Sequence, residues 1–198
     1  MDFLSQTYNA LRGPTGAPQT ALETVRRLAD RLSQDTLLSD RRAAVLSLKG
    51  LSRDCKVDVG EMALSGLLEV LEKDTDIDAD IGKAVLETLT VLCELGGGEG
   101  DGTAGSVGGK DAGMMHTDVV LENPKAANKL FQLLGDQTFY TRYGTLQFLQ
   151  VLLHNRRQVV QGYFIKSSLG FGNVISVLEE KREIIRNGMS QPSRKLFA

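Results

Sequence analysis

The sequence predicts an all-α fold of stacked helical repeats, and three observations predict it. A short apolar stripe recurs as LLEVLEKD from Leu67, LFQLLGDQ from Leu130 and VISVLEEK from Val174, with a weaker copy, TVRRLADRLSQD, from Thr24. Each copy is one face of an amphipathic helix that runs into an exposed end. A longer stripe follows in DRRAAVLSLKGLSRD from Asp40, DADIGKAVLETLTVLCEL from Asp78 and FYTRYGTLQFLQVLLHN from Phe139. The copies also keep register: Ala44, Val45 and Leu46 recur 40 positions on as Ala84, Val85 and Leu86, and Arg42, Leu46, Leu48 and Leu51 recur 100 positions on as Arg142, Leu146, Phe148 and Val151. A helix, a polar turn and a longer helix at this period form the signature of an armadillo/HEAT-like right-handed α-solenoid. Strand signals are absent, with no alternating Val/Ile/Thr run flanking an Asn-Gly or Asp-Gly turn.

About four units follow, each opened by residues suited to its place. The Thr24 stripe leads to a helix for which Ser39 or Asp40 is the natural N-cap. The Leu67 stripe leads through the turn DTDIDAD to a helix capped by Asp78, and the Leu130 stripe leads to one capped by Thr138. Between the second and third units lies GGGEGDGTAGSVGGKDAG, residues 96–113, with nine glycines in eighteen residues. Such a segment buries too little apolar surface to offset its ordering entropy, so it reads as a flexible loop that the fold tolerates losing. The predicted core contains Leu46, Leu67, Leu71, Leu86, Leu89, Leu130, Leu134, Leu146, Leu149, Leu153 and Val177. The last stripe carries Val174, Ile175, Val177, Leu178, Ile184 and Ile185, followed by the short polar segment GMSQPSRKLFA, so the final unit is expected to expose an apolar face.

Composition narrows the function classes. At 198 residues, 41% hydrophobic and 24% charged, the chain is long enough for one domain with a real core. A net charge of −2 supplies no basic field for nucleic acid or an anionic membrane. The two cysteines, Cys55 and Cys93, sit on apolar helical patterns, which argues against a disulfide framework and for a reducing compartment. The opening MDFLSQTYNALRG has no basic n-region and no apolar h-region, and no run of apolar residues is long enough to span a bilayer, so any membrane association is peripheral.

Chemical motifs fail on context. Gly100, Gly102 and Gly105 form a GxGxxG, but a helix precedes them and more glycine follows, where a dinucleotide site needs a strand before and a helix after. Gly109-Lys110 lacks the rest of a P-loop, having Ala104 and Asp111 at the required positions. Asp74, Asp76, Asp78 and Asp80 alternate like a calcium loop, but Ala79 and Val85 stand where that loop needs glycine and glutamate; the turn reads as solvated, with an N-cap. His116 and His154 have no metal-ligand spacing, and no nucleophile–base set exists, so no catalytic, cofactor or metal residues are assigned. Arg156-Arg157 suits a basic helix end beside the helix dipole. The surface assigned to partner binding is Arg142, Arg156, Arg157, Gln158, Gln161 and Tyr163, because arginine and tyrosine favour interface hot spots.

The segments DRRAAVLSLKGLSRD, LLEVLEKDTDIDADIGKAVLETL, FYTRYGTLQFLQVLLHNRRQVVQGYF and ISVLEEKREIIRN resemble the N-terminal head of the general vesicular transport factor family, the Uso1-type golgins. The resemblance covers about residues 1–187, leaving 188–198 as a divergent tail. It implies an armadillo-like head, a parallel homodimer, a coiled coil ending in an acidic tail, and work as a tether between ER-derived vesicles and the Golgi. Its implied partners are a Rab-family GTPase, golgins and SNAREs, mostly through the tail, with no nucleic acid and no cofactor. In that family REIIRN leads into further repeats, so the chain resembles a truncated head. The competing reading is a generic armadillo adaptor for an extended peptide, which the lack of tryptophan and of a regular asparagine ladder disfavours.

Overall fold

A computed structural model describes residues 20–96, 106–107 and 110–178. Its helices are α1 (Ala21–Asp30), α2 (Leu38–Leu51), α3 (Lys56–Lys73), α4 (Ala79–Cys93), α5 (Ala112–Glu122), α6 (Pro124–Leu133), α7 (Phe139–Lys166) and α8 (Gly170–Leu178). A two-residue antiparallel pair, β1 (Ser106–Val107) and β2 (Lys110–Asp111), lies inside the glycine-rich insertion, where no strand was expected. The tail 188–198, the N-terminal residues 1–19, and Ile184 and Ile185 lie outside the described residues.

Equivalent helices of successive units stack on each other, as a repeat solenoid requires, with α5 as an extra helix before the third unit. One layer runs α1, α3, α6, α8 and the other α2, α4, α7, with each unit's helices packing across the layers. In the second layer neighbours run parallel. Arg42 near the start of α2 pairs with Asp80 at the start of α4, and Lys49 near its end pairs with Glu87 further along α4. The break between third and fourth units falls inside α7, where Arg156 leaves helical geometry (φ −140°, ψ 58°). The residues beyond it bury Val160 and Phe164.

The stripes read from sequence form the core. Leu67, Leu71, Leu86, Leu89, Leu130, Leu134, Leu146, Leu149, Leu153 and Val177 are all buried. Leu46 is the correction, at 49% exposed. It shares a helix stripe with Arg42 and Lys49, whose ion pairs run along the solvent edge of the α2–α4 seam. In α7 the third member of that stripe is Leu149 instead of lysine, and Leu146 is buried. In α8 Val177 is buried as part of the expected core and Val174 is buried with it, while Ile175, also on the apolar stripe, is exposed.

The helix starts depart from expectation at one place. Asp78 caps α4, accepting from the backbone N–H of Asp80 at 2.9 Å and of Ile81 at 3.2 Å. Thr138 is the N-cap of α7 but makes no side-chain cap bond; Asp136 Oδ1 instead accepts from its N–H at 2.6 Å. The N-cap of α2 is Leu37, so Ser39 and Asp40 fall in the first turn, where the carboxylate still complements the helix dipole.

The acidic turn is not simply solvated. Asp74 is buried and forms a two-pronged pair with Arg41, Nε to Oδ2 at 2.7 Å and Nη2 to Oδ1 at 2.9 Å. Hydrogen bonding to Asp74 raises the Arg41 pKa, and Arg41 also donates to the Thr36 carbonyl. Asp76 accepts from Lys129 of α6 at 2.6 Å, and Asp78 and Asp80 pair with Arg42 of α2. One turn therefore joins three successive units.

The other end of α4 is closed as firmly. The Leu92 carbonyl lies 2.9 Å from His116 Nδ1, the Cys93 carbonyl accepts from Asn155 Nδ2 at 2.8 Å, and the Glu94 carbonyl accepts from the buried Lys56 ammonium. Three side chains from α5, α7 and α3 thus satisfy three successive carbonyls that the helix leaves open. The insertion leaves through Gly96, in the left-handed region at φ 71°, and returns at Asp111. Asp111 caps α5 through Met114 N–H and accepts from Gly96 N–H at 3.0 Å. Ala112 and Gly113, read from sequence as loop, form the buried first turn of α5. A Cβ on Gly113 falls 2.2 Å from the Glu94 carbonyl oxygen, and one on Gly60 falls 1.9 Å from His116 Nε2.

The same substitution therefore has opposite signs at two helical glycines. Gly113→Ala is expected to destabilise by about 1–3 kcal/mol through overpacking against backbone. Gly50→Ala, in α2 with open space around it, is expected to stabilise by about 0.4–1 kcal/mol. Urea denaturation of both variants checks the pair.

Burial holds the His116 imidazole below its ordinary range. A base whose pKa falls on folding binds its proton more readily in the unfolded chain. Its contribution is complete above the unfolded value of about 6.5 and declines as pH falls below that toward the folded value. Stability is expected to fall as pH drops below about 6.5, with a shallower fall in His116→Gln, read by denaturation at each pH.

Candidate protein-interaction surface

Among the described residues no group of three His, Cys, Asp or Glu side chains is placed to hold a metal ion. The buried Cys93 thiol is pushed up to about 12 by desolvation, which keeps it a thiol and a poor nucleophile. What the solenoid presents is surface.

The residues assigned to partner binding divide by role. Arg156 sits at the α7 break and grips Asp118 of α5 with two bonds, Nε to Oδ1 at 2.6 Å and Nη2 to Oδ2 at 2.7 Å. That hydrogen bonding raises its pKa. Tyr163 donates its hydroxyl to the Leu121 carbonyl at 2.6 Å, and its ring packs on the core. Both contacts dock the far part of α7 on α5. Arg157 and Gln158 are exposed, and Arg142 and Gln161 are half-buried. Arg142 stands at the opposite end of α7 from the other five, so the six residues do not form one patch.

Sequence reasoning passed over two surface features. A groove of about 550 Å³ lies between α3, α6 and the α7–α8 turn, lined by Glu72, Asp76, Lys125, Lys129, Lys166 and Ser168 among others. An exposed apolar row runs along the edge where α2, α4 and α7 begin: Leu37 at 70%, Ile77 at 68% and Tyr140 at 57%. The 40-residue register already aligned Leu37 with Ile77.

The fold is an all-α solenoid of the class seen in solved Uso1 structures. It matches a crystal structure of Uso1-1 at a TM-score of 0.76 and 27% identity, over 88% of this chain and 29% of that one. It matches Uso1-2 at 0.77 and 25% identity, over 91% of this chain and 30% of that one. In sequence the chain is 33% identical over 188 residues to the general vesicular transport factor p115 of Bos taurus, covering 94% of this chain and 19% of that protein. It is 28% identical over 187 residues to the intracellular protein transport protein uso1 of Schizosaccharomyces pombe, covering 94% of this chain and 17% of that protein. No family model matches. The homologues of this chain are thus the p115/Uso1 vesicular transport factors, and it spans about a fifth of their length.

The two roles on α7 separate by mutation. Tyr163→Phe is expected to lower stability by about 0.5–1.5 kcal/mol through loss of its bond to Leu121. Gln158→Ala is expected to stay within about 0.5 kcal/mol of the parent. Chemical denaturation distinguishes them.

Proposed function

We propose that this chain is a protein-binding head of a vesicle-tethering factor in ER-to-Golgi transport, acting where vesicles dock at the Golgi membrane. The observation that carries this reading is homology to vesicular transport factors along 94% of the chain, together with the Uso1-like solenoid. Those homologues are transport factors and not known enzymes. No helix among the described residues is long and apolar enough to cross a membrane, which is consistent with peripheral attachment at the cytoplasmic face of Golgi membranes and ER-derived vesicles.

Partners in this reading are proteins: a Rab-family GTPase, golgins and SNAREs, with the full-length protein a homodimer. The assigned contacts are Arg142, Arg157, Gln158 and Gln161, with Arg156 and Tyr163 fixing the segment that carries three of them. Expression of the tagged chain in cells, with affinity capture on immobilised Rab loaded with GTP or GDP, tests it. Recruitment to Golgi membranes and GTP-selective retention are expected. A folded chain that stays diffuse and ignores the nucleotide state overturns the reading.

A further inference from the structure

We infer that the edge formed by the starts of α2, α4 and α7 is a docking surface for a basic amphipathic helix of a partner protein. It rests on the reading of this chain as a protein-binding module, and not on vesicle transport.

Three successive helices of one layer each place a large apolar side chain outward at their first turn or just before it. Leu37 is the N-cap of α2, Ile77 immediately precedes the N-cap of α4, and Tyr140 is the second residue of α7. All three are more than half exposed. Leu37 and Ile77 occupy the same place in successive repeats, although neither contributes to the core. The apolar stripes of these helices face inward, so internal packing gives no reason for aliphatic side chains at these two positions. Three apolar groups at the starts of neighbouring helices mark one edge repeatedly, unlike single exposed hydrophobics, which are common.

The spacing selects a helix. Neighbouring packed helices lie about 8–10 Å apart. Residues seven apart on an α-helix rise by about 10.5 Å and return to nearly the same face. A helix with apolar residues at i, i+7 and i+14, laid across the edge, meets the three groups in turn.

Charge selects a basic one. Asp35 and Asp40 are exposed on either side of Leu37, and Asp76 and Asp80 on either side of Ile77. Three nearby cations are already engaged: Arg42 with Asp78 and Asp80, Lys129 with Asp76, and Lys83 over the Tyr140 ring with its ammonium 4.6 Å from the centroid. Asp35 and Asp40 beside Leu37 are exposed and form no ion pair among the described residues, which suits a cationic partner. The same acidity opposes an anionic membrane as the occupant.

The test uses the full chain and a fluorescein-labelled synthetic helix with leucine at heptad positions and lysine beside them, read by fluorescence anisotropy. Saturable binding that weakens with salt is expected. Binding is expected to weaken by about tenfold or more in L37S/I77S, and likewise in D35N/D40N. The exposed positions leave folding intact, which unchanged thermal melts verify, and the charge variant keeps the test valid if the apolar one misfolds. An otherwise identical peptide with glutamate in place of lysine is expected to bind at least about tenfold more weakly. Absence of binding, binding by both variants as tight as by the parent, or equally tight binding of the glutamate peptide overturns the proposal. So does association of the edge with anionic vesicles, or self-association of the chain that L37S/I77S abolishes in sedimentation. None of these readouts requires a Golgi membrane, so failure of the docking edge and failure of the vesicle-transport reading are separable.

Discussion

The constraint on which this structure depends is the burial of α4. It is packed by α2, α3, α5 and α7, so the polar groups at its ends cannot all rely on water. At its start the chain supplies Asp78 as a cap, beside the buried Arg41–Asp74 pair. At its end Lys56, His116 and Asn155 reach in from three helices to the last carbonyls. The Arg41–Asp74, His116–Leu92 and Asn155–Cys93 contacts join separate repeats, so satisfying the backbone of one helix also sets the register of its neighbours. Leucine stripes alone do not do this, because apolar contacts are non-directional.

The insertion is held at its two ends by the same kind of contact. It leaves after the Glu94 carbonyl has been satisfied and returns at Asp111, which holds Gly96 and begins α5. The solenoid on either side is thereby joined through packed helix ends. Function then falls to what faces outward: the far part of α7, the groove beside α6, and the edge where the second-layer helices begin. A scaffold with fixed register presents these features at regular intervals, which suits recognition of another protein's secondary structure.

Much of the fold is legible in the sequence because periodicity records burial directly. The stripes of Leu67, Leu130 and Leu146 and the cap at Asp78 are local signals and appear where they were read. Leu46 departs from the apolar register because its stripe neighbours Arg42 and Lys49 hold ion pairs at the solvent edge. Asp74 looked solvated because its partner Arg41 lies 33 residues away, and alternating aspartates carry no trace of that pairing. Ala112 and Gly113 looked like loop because small residues dominate both a flexible segment and a helix start pressed against backbone. The interaction surface was the least legible part. Arginine and tyrosine enrichment pointed to α7, but Arg156 and Tyr163 are engaged with α5, and the exposed pair Leu37 and Ile77 falls outside the apolar stripes.

The account holds that polar clasps around α4, with the Arg41–Asp74 pair foremost, fix the repeats in place. A double-mutant cycle on that pair, read by urea denaturation, tests it most directly. Asp74→Ala alone leaves a buried guanidinium without its carboxylate and is predicted to cost about 3–5 kcal/mol. Replacing both, as Arg41→Met with Asp74→Leu, is predicted to recover most of that loss, because an apolar pair of similar volume removes the stranded charge. A cost below about 1 kcal/mol for Asp74→Ala, the range of a surface pair, would contradict the account.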